Sequence, residues 1–244
     1  MLNRLDEQEL SAHTDSSSIR GVDGQLKNII FACSGPKPKI VLSDAVNNVI
    51  DIVENGEYCL VYDRPLTNAG LRWQDLVTWW ADLTSQSEFE DATLRDLYRR
   101  LELSLGDNAA ERILLRTYCE RYRGKRGFST PALLPQVYLH FDPLTRAQRR
   151  ALGKPDHLSR ERMDFLLLLP NGVRIVLEVD GKQHYADGDR ASPERYAEMV
   201  AEGRAQRLLG YEVFRFGGYE LSQPDAAAML RKFFDELFTV HSIS

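Results

Sequence analysis

Long apolar runs are missing from this 244-residue chain. No stretch approaches the roughly 18 to 20 residues that a membrane-spanning helix needs. The first residues, Met1-Leu2-Asn3-Arg4-Leu5-Asp6, carry an acid early and no apolar segment, so no secretory signal is expected and the reading is cytoplasmic. Cysteine is scarce and odd in number: Cys33, Cys59 and Cys119 lie far apart along the chain, each among apolar neighbours. That pattern excludes a disulfide framework and a zinc cluster, and leaves buried free thiols. Strong charge of one sign is absent as well. The net charge is −5, so affinity for nucleic acid from charge alone would be modest. Internal repeats and low-complexity segments are also absent.

What is present is ordinary for a globular protein, with 43% hydrophobic and 27% charged residues. The charge is unevenly spread. Residues 1–110 hold 10 basic and 18 acidic groups, whereas residues 111–244 hold 21 basic and 18 acidic. Six basic groups fall between Arg112 and Arg126 and six more between Arg146 and Arg162. Each cluster reads equally well as a solvated helix face or as positive charge flanking a site.

The chain divides into a polar arm (1–25), a small α+β domain (26–108) and a larger α/β domain (109–244). In the first domain the apolar segments are Leu26 to Cys33 and Lys39 to Leu42. Val49 to Val53 and Glu57 to Tyr62 flank Asn55-Gly56 and predict a hairpin. Helical patterns follow over Leu71 to Leu83 and Thr93 to Leu105. Trp73, Trp79 and Trp80 read as core or interface anchors rather than a base-stacking platform. After Gly106-Asp107-Asn108, a helix break and new cap, the expected order is helix, three strands, helix, strand, helix. Those elements are Ala109 to Tyr122, then Leu133 to Phe141 and two strands about Pro170-Asn171-Gly172. Pro193 to Leu209, Tyr211 to Phe216 and Pro224 to Phe238 complete the order.

The chemistry concentrates on the central hairpin. Its strands, Met163 to Leu169 and Val173 to Val179, end in Asp164 and in Glu178-Val179-Asp180-Gly181-Lys182-Gln183-His184. A three-residue loop at Pro170 to Gly172 pairs Leu169 with Val173 and therefore Asp164 with Glu178. A two-residue loop would send those acids to opposite faces. Opposed carboxylates repel unless a cation lies between them, and a hard divalent ion with oxygen ligands is the usual answer. Asp164, Glu178 and the backbone carbonyl of Val179 are the candidate ligands of Mg²⁺, with Mn²⁺ as a substitute. If the strand persists, Asp180 and Lys182 share the face of Glu178. Lys182 would then orient water or neutralise phosphate, and His184 would serve as acid, base or phosphate ligand. The pattern points to metal-dependent hydrolysis of a phosphodiester bond.

The segments Arg162-Met163-Asp164-Phe165, Glu178-Val179-Asp180-Gly181, His184 and Gly210-Tyr211-Glu212-Val213-Phe214-Arg215-Phe216 resemble the PD-(D/E)XK nuclease superfamily. They are most similar to its Vsr-like, very-short-patch-repair-like, endonuclease domains. The resemblance covers about residues 109–240. It implies a restriction-endonuclease-like α/β core, with a mixed sheet flanked by helices. It also implies an Mg²⁺-dependent endonuclease, with DNA favoured over RNA as substrate and catalytic acids at Asp164 and Glu178. Glu111, with Glu120 as alternative, resembles the extra helix-borne acid of the family. Gln136 takes the place of a polar residue on the first strand. Arg204 and Arg215 resemble arginines that brace the site or meet phosphate, a structural ion pair being the other reading of Arg215. Two departures stand out. Asp180 occupies the lysine position of E-x-K, unless Asp180-Gly181-Lys182 is itself a D-x-K. Gly203 stands where an acid often precedes the arginine. The first domain faintly resembles modules of abortive-infection proteins of the AbiJ type, which implies anti-phage defence and admits a regulatory protein partner or a homodimer. The competing reading is a catalytically silent nucleic-acid-binding module.

Overall fold

The structure is a computed structural model and describes residues 29–44, 49–121, 127–138, 162–182, 186–187 and 190–243. The polar arm, His184, the end of the strand expected to reach Phe141, and the turn expected from Asp142 to His157 lie outside the described residues. So do the basic groups from Arg146 to Arg160.

Apolar residues on both faces mark the central strand of the main sheet. Strand β6 (Arg162–Leu168) buries Met163, Phe165 and Leu167 on one side and Leu166 and Leu168 on the other. It lies between β5 (Leu133–Tyr138) and β7 (Arg174–Asp180), antiparallel to both, and β10 (Glu212–Gly217) adds to β7 in parallel. A strand covered on both faces has little room for alternation, and this is the pattern its sequence carries.

The β6–β7 connection is the three-residue turn Pro170–Gly172, closed by a bond from the Leu169 N–H to the Val173 carbonyl (2.9 Å). Asn171 and Gly172 both take the left-handed conformation that the turn requires. The register follows: Leu168 opposes Arg174 and Phe165 opposes Leu177.

Helices cover both faces. Phe214 and Phe216 of β10 lie edge-on to Phe233 of α6 (Ala226–Val240), and α6 packs on α3 (Ala109–Arg121) through Tyr118 with Phe234 and Phe238. On the opposite face the Arg215 guanidinium reaches the Met199 carbonyl of α4 (Pro193–Leu208) at 3.4 Å. Ser192 caps α4, Pro193 fills its first position, and Gly210 follows its end with φ +88°. The short α5 (Gly218–Leu221) joins β10 to α6, and β8 (Ala186–Asp187) pairs with β9 (Arg190–Ala191). Among the described residues the order expected for 109–244 is observed, with the β8–β9 ribbon added before α4 and α5 added before α6.

In the first part, α1 (Trp73–Thr84) and α2 (Asp91–Leu103) occupy the expected positions. Trp79 and Trp80 are buried and Trp73 packs against the same core, as core anchors should. The hairpin expected about Asn55-Gly56 does not form. β3 (Val49–Glu54) pairs with β2 (Lys39–Asp44), while β4 (Leu60–Tyr62) pairs with β1 (Ile29–Phe31). Asn55 is left-handed and a 3₁₀ turn over Gly56–Tyr58 follows, so the chain passes to a different sheet instead of folding back. Burial of Leu60 and Tyr62 beside Phe31 rewards that exchange.

One apolar cluster runs from Ile29 through Trp79 and Leu101 to Phe165, Leu177 and Phe238. Backbone bonds tie the parts together: Leu71 N–H to Leu168 O, Ala132 N–H to Leu71 O, and Ala32 N–H to Pro135 O. The core is therefore continuous across residue 108. Among the described residues no helix is long and apolar enough to cross a membrane.

Candidate functional site

Three registers align one row of side chains across the sheet. Continuing the β6–β7 pairing by one residue places Glu178 opposite Asp164. The β5–β6 pairing, with Pro135 opposite Phe165 and Val137 opposite Met163, places Gln136 opposite Asp164 on its other side. The β7–β10 pairing sets Arg215 beside Glu178. Gln136, Asp164, Glu178 and Arg215 thus form a row at one end of the four strands, and the two acids share a face, as the three-residue loop requires.

Asp164 is anchored. Its Oδ2 accepts a bond from the Val179 N–H at 2.8 Å, which holds the carboxylate against the strand that carries Glu178. Glu178 has no exposed surface. Asp180, next on the same face, accepts a bond from Arg215 Nη1 at 2.7 Å. Of the two readings of Arg215, the ion pair is therefore the one the structure displays. Asp180 is the partner of this arginine within an E-x-D strand end. Gly203 of α4 faces the same guanidinium. A methyl group there would lie 3.7 Å from Arg215 Nε, an ordinary contact.

Glu111 joins the row at its β5 end. Asn108 caps α3, accepting from the Glu111 N–H at 3.2 Å, and its side-chain amide donates to Glu111 Oε1 at 2.6 Å. Gln136 Nε2 donates to Glu111 Oε2 at 2.5 Å. Glu111 is buried, and burial is the main reason its carboxyl is pushed up to about 7. The charge of Asp164 adds to the rise, while Arg162 and the two amide donors oppose it. Glu111 and Asp164 are thus electrostatic neighbours, whereas Glu120 stands exposed two turns further along α3. Of the two candidate acids on α3, Glu111 is the one that meets the row.

Gln136 is conformationally unusual. Its φ of 54° lies in the left-handed region inside a β-strand, where a side chain costs on the order of 1–3 kcal/mol. Its Oε1 is buried and has no hydrogen-bond partner among the described residues. A strained residue holding an orphaned oxygen beside two carboxylates is the observation here that fits a cation or bound water.

The remaining expectations divide. β7 ends at Asp180, so Lys182 is not on the strand face; it stands exposed just past the strand end. Arg204 is exposed on α4, and none of the hydrogen bonds or ion pairs seen among the described residues joins it to the row. For Val179 the N–H bonds to Asp164. Among the described residues no group of three or more Asp, Glu, His or Cys side chains is placed to hold a metal ion. Asn108 and Arg162 were not singled out as site residues from sequence. Asn108 was readable as a helix cap, with Glu111 three residues on, which is the spacing of a capping pair.

What the fold and the row define is a class, a mixed α/β protein with carboxylates opposed at the end of a central hairpin. Compared with protein-family models, with curated proteins and with solved structures, the chain gives no match.

Proposed function

We propose that this protein is a metal-dependent nuclease that hydrolyses phosphodiester bonds, with DNA favoured over RNA, on a restriction-endonuclease-like core. The observation that carries the reading is the opposed pair Asp164 and Glu178 on neighbouring strands, beside the unpartnered Gln136 Oε1. The donor set is all oxygen, which suits Mg²⁺ or Mn²⁺ and not a soft metal. Asp164 and Glu178 would hold the ion, with the Val179 carbonyl and Gln136 Oε1 as further oxygen donors. Two carboxylates suffice, because Mg²⁺ usually keeps several waters, and a closed cage is not needed. When bound, the ion supplies an activated water and offsets the charge that develops on the phosphate.

The chain's own residues do the rest. The Val179 N–H and the Gln136–Glu111–Asn108 chain fix the carboxylate and amide orientations before substrate arrives. Arg215 neutralises Asp180 and braces the end of β7. Lys182, just past the strand end, would meet a phosphate oxygen as a point charge. His184 retains the role of acid, base or phosphate ligand. The first part of the chain would supply recognition or control, with anti-phage defence as the setting.

Incubating the protein with plasmid DNA and with RNA, in Mg²⁺, Mn²⁺ or EDTA, tests the reading. Metal-dependent cleavage is expected, lowered by several orders of magnitude in Asp164→Ala and Glu178→Ala. Binding without cleavage in any metal would replace the reading by a silent nucleic-acid-binding module. Near-wild-type cleavage by either variant would remove that residue from the site.

A further inference from the structure

A second cluster of reactive groups lies apart from the acid row, where β1 and β4 end. The strands pair Ile29 with Tyr62, Ile30 with Val61 and Phe31 with Leu60. Continued unchanged, that register would set Cys33 opposite Tyr58. Ala32 interrupts it: its φ is 50°, and the residue acts as a bulge that advances one strand by one position. Beyond it the Ser34 N–H bonds to the Tyr58 carbonyl at 2.9 Å. In an antiparallel ladder a bond between the residue after one partner and the residue before the other marks a directly opposed, non-hydrogen-bonded pair. That pair is Cys33 and Cys59. Such pairs stand about 4.5 Å apart at Cα, within the span a disulfide bridges.

The surroundings agree. Both cysteines belong to one small buried cluster with Ile30 and Ile40, and both are free thiols. Arg100 clamps the two strands beside them, Nη1 donating to Ala32 O and Nη2 to Tyr58 O, each at 2.8 Å. Cys33 Sγ donates to the Pro36 carbonyl at 3.4 Å and to the Gly35 carbonyl at 3.6 Å. The neighbouring Cys59 side chain is the largest cause holding Cys33 down to about 6, with the Gly35 backbone, Tyr138 and the charge of Arg162 adding and burial opposing. Cys59 is pushed up by its neighbour Cys33 and by burial.

We propose that Cys33 and Cys59 are a peroxide-reactive dithiol that closes into a cross-strand disulfide, a modification site distinct from the acid row. The Cys33 thiolate attacks hydrogen peroxide: an S–O bond forms, the O–O bond breaks and the departing hydroxide leaves as water after protonation. The Cys59 sulfur then attacks the sulfenic acid: the S–S bond forms, the S–O bond breaks, and the Cys59 proton leaves with hydroxide as a second water. Two thiols are oxidised by two electrons and one peroxide is reduced. In a reducing compartment such a pair is a sensor and not a strut. It acts near the site, because Tyr138 lies beside Cys33 and opposes Arg162, two residues before Asp164.

The test treats the full chain with hydrogen peroxide, counts thiols after unfolding and maps the peptides. The count falls from three to one, a Cys33–Cys59 peptide link appears, and dithiothreitol reverses both. In Cys59→Ser, dimedone traps a sulfenic acid on Cys33. A link through Cys119, a link between chains, oxidation of Cys33 to sulfinic acid without pairing, or dimedone on Cys119 in place of Cys33 would each overturn the proposal. The wild-type map stands by itself if a serine variant fails to fold.

Discussion

Glu111 shows what one buried carboxyl costs. Its proton is held more tightly in the folded chain than in the unfolded one, about 7 against 4.5. The favourable contribution is therefore complete below about pH 4.5 and is lost as pH rises through about 7. Glu111→Gln keeps the shape and removes the charge. Without divalent metal it should raise stability at pH 8 by on the order of 1–2 kcal/mol and change little at pH 5. Thermal unfolding at the two pH values checks this. A gain at pH 5 equal to that at pH 8 would mean that charge burial is not the cause. Asp164 and Glu178 were legible in the sequence because the turn between their strands fixes a register by counting. The tie from Glu111 through Gln136 was not derivable from spacing, because it joins a helix cap to a strand residue 25 positions on. Nor does any propensity announce a glutamine with positive φ.

At the scale of elements, the central hairpin is held at its tip by a turn from the first part of the chain. The turn is closed by Gly70 N–H to Thr67 O (3.0 Å), while Leu71 N–H bonds to Leu168 O and Asn171 N–H to Asn68 O. Gly70 has φ +76°, and a Cβ there would meet Leu168 O at 2.1 Å. Gly70→Ala should cost about 3 kcal/mol or more, from a backbone clash and a disfavoured φ together. Urea unfolding measures it, and a loss under about 0.5 kcal/mol, the range of an ordinary surface change, would contradict the packing. The helices and main-sheet strands were readable because apolar period, caps and stop residues agree locally. Strand partners were less so. The Asn55-Gly56 signal is a true turn, yet β3 and β4 choose β2 and β1, since the choice is made by Phe31 and Leu60 packing in the core. The end of β7 at Asp180 falls within one residue of the expected Val179, and it takes Lys182 off the strand face.

For the molecule as a whole, the shared core decides how separable the parts are. Phe31, Trp79 and Leu101 lie in one cluster with Phe165 and Leu177. A fragment of residues 109–244 would expose the apolar side of that contact and leave the Leu168 carbonyl and the Ala132 N–H without Leu71. It should fail to fold cooperatively, while the full chain unfolds in a single transition. Circular dichroism on both decides it, and a soluble, cooperatively melting fragment would mean that residue 108 is a true boundary of stability. Apolar periodicity, caps and turn residues made the α/β class and the element order readable. The union of the two parts was hidden, because contacts between Leu71 and Leu168 leave no periodic trace in either segment.

The central claim is that Asp164 and Glu178 hold a divalent cation between them, and crystals soaked in Mn²⁺ put it to the most direct test. The account predicts an anomalous-scattering peak bridging the two carboxylates, next to Gln136 Oε1. Crystals that take up no manganese there, or a manganese site away from both acids, would contradict it.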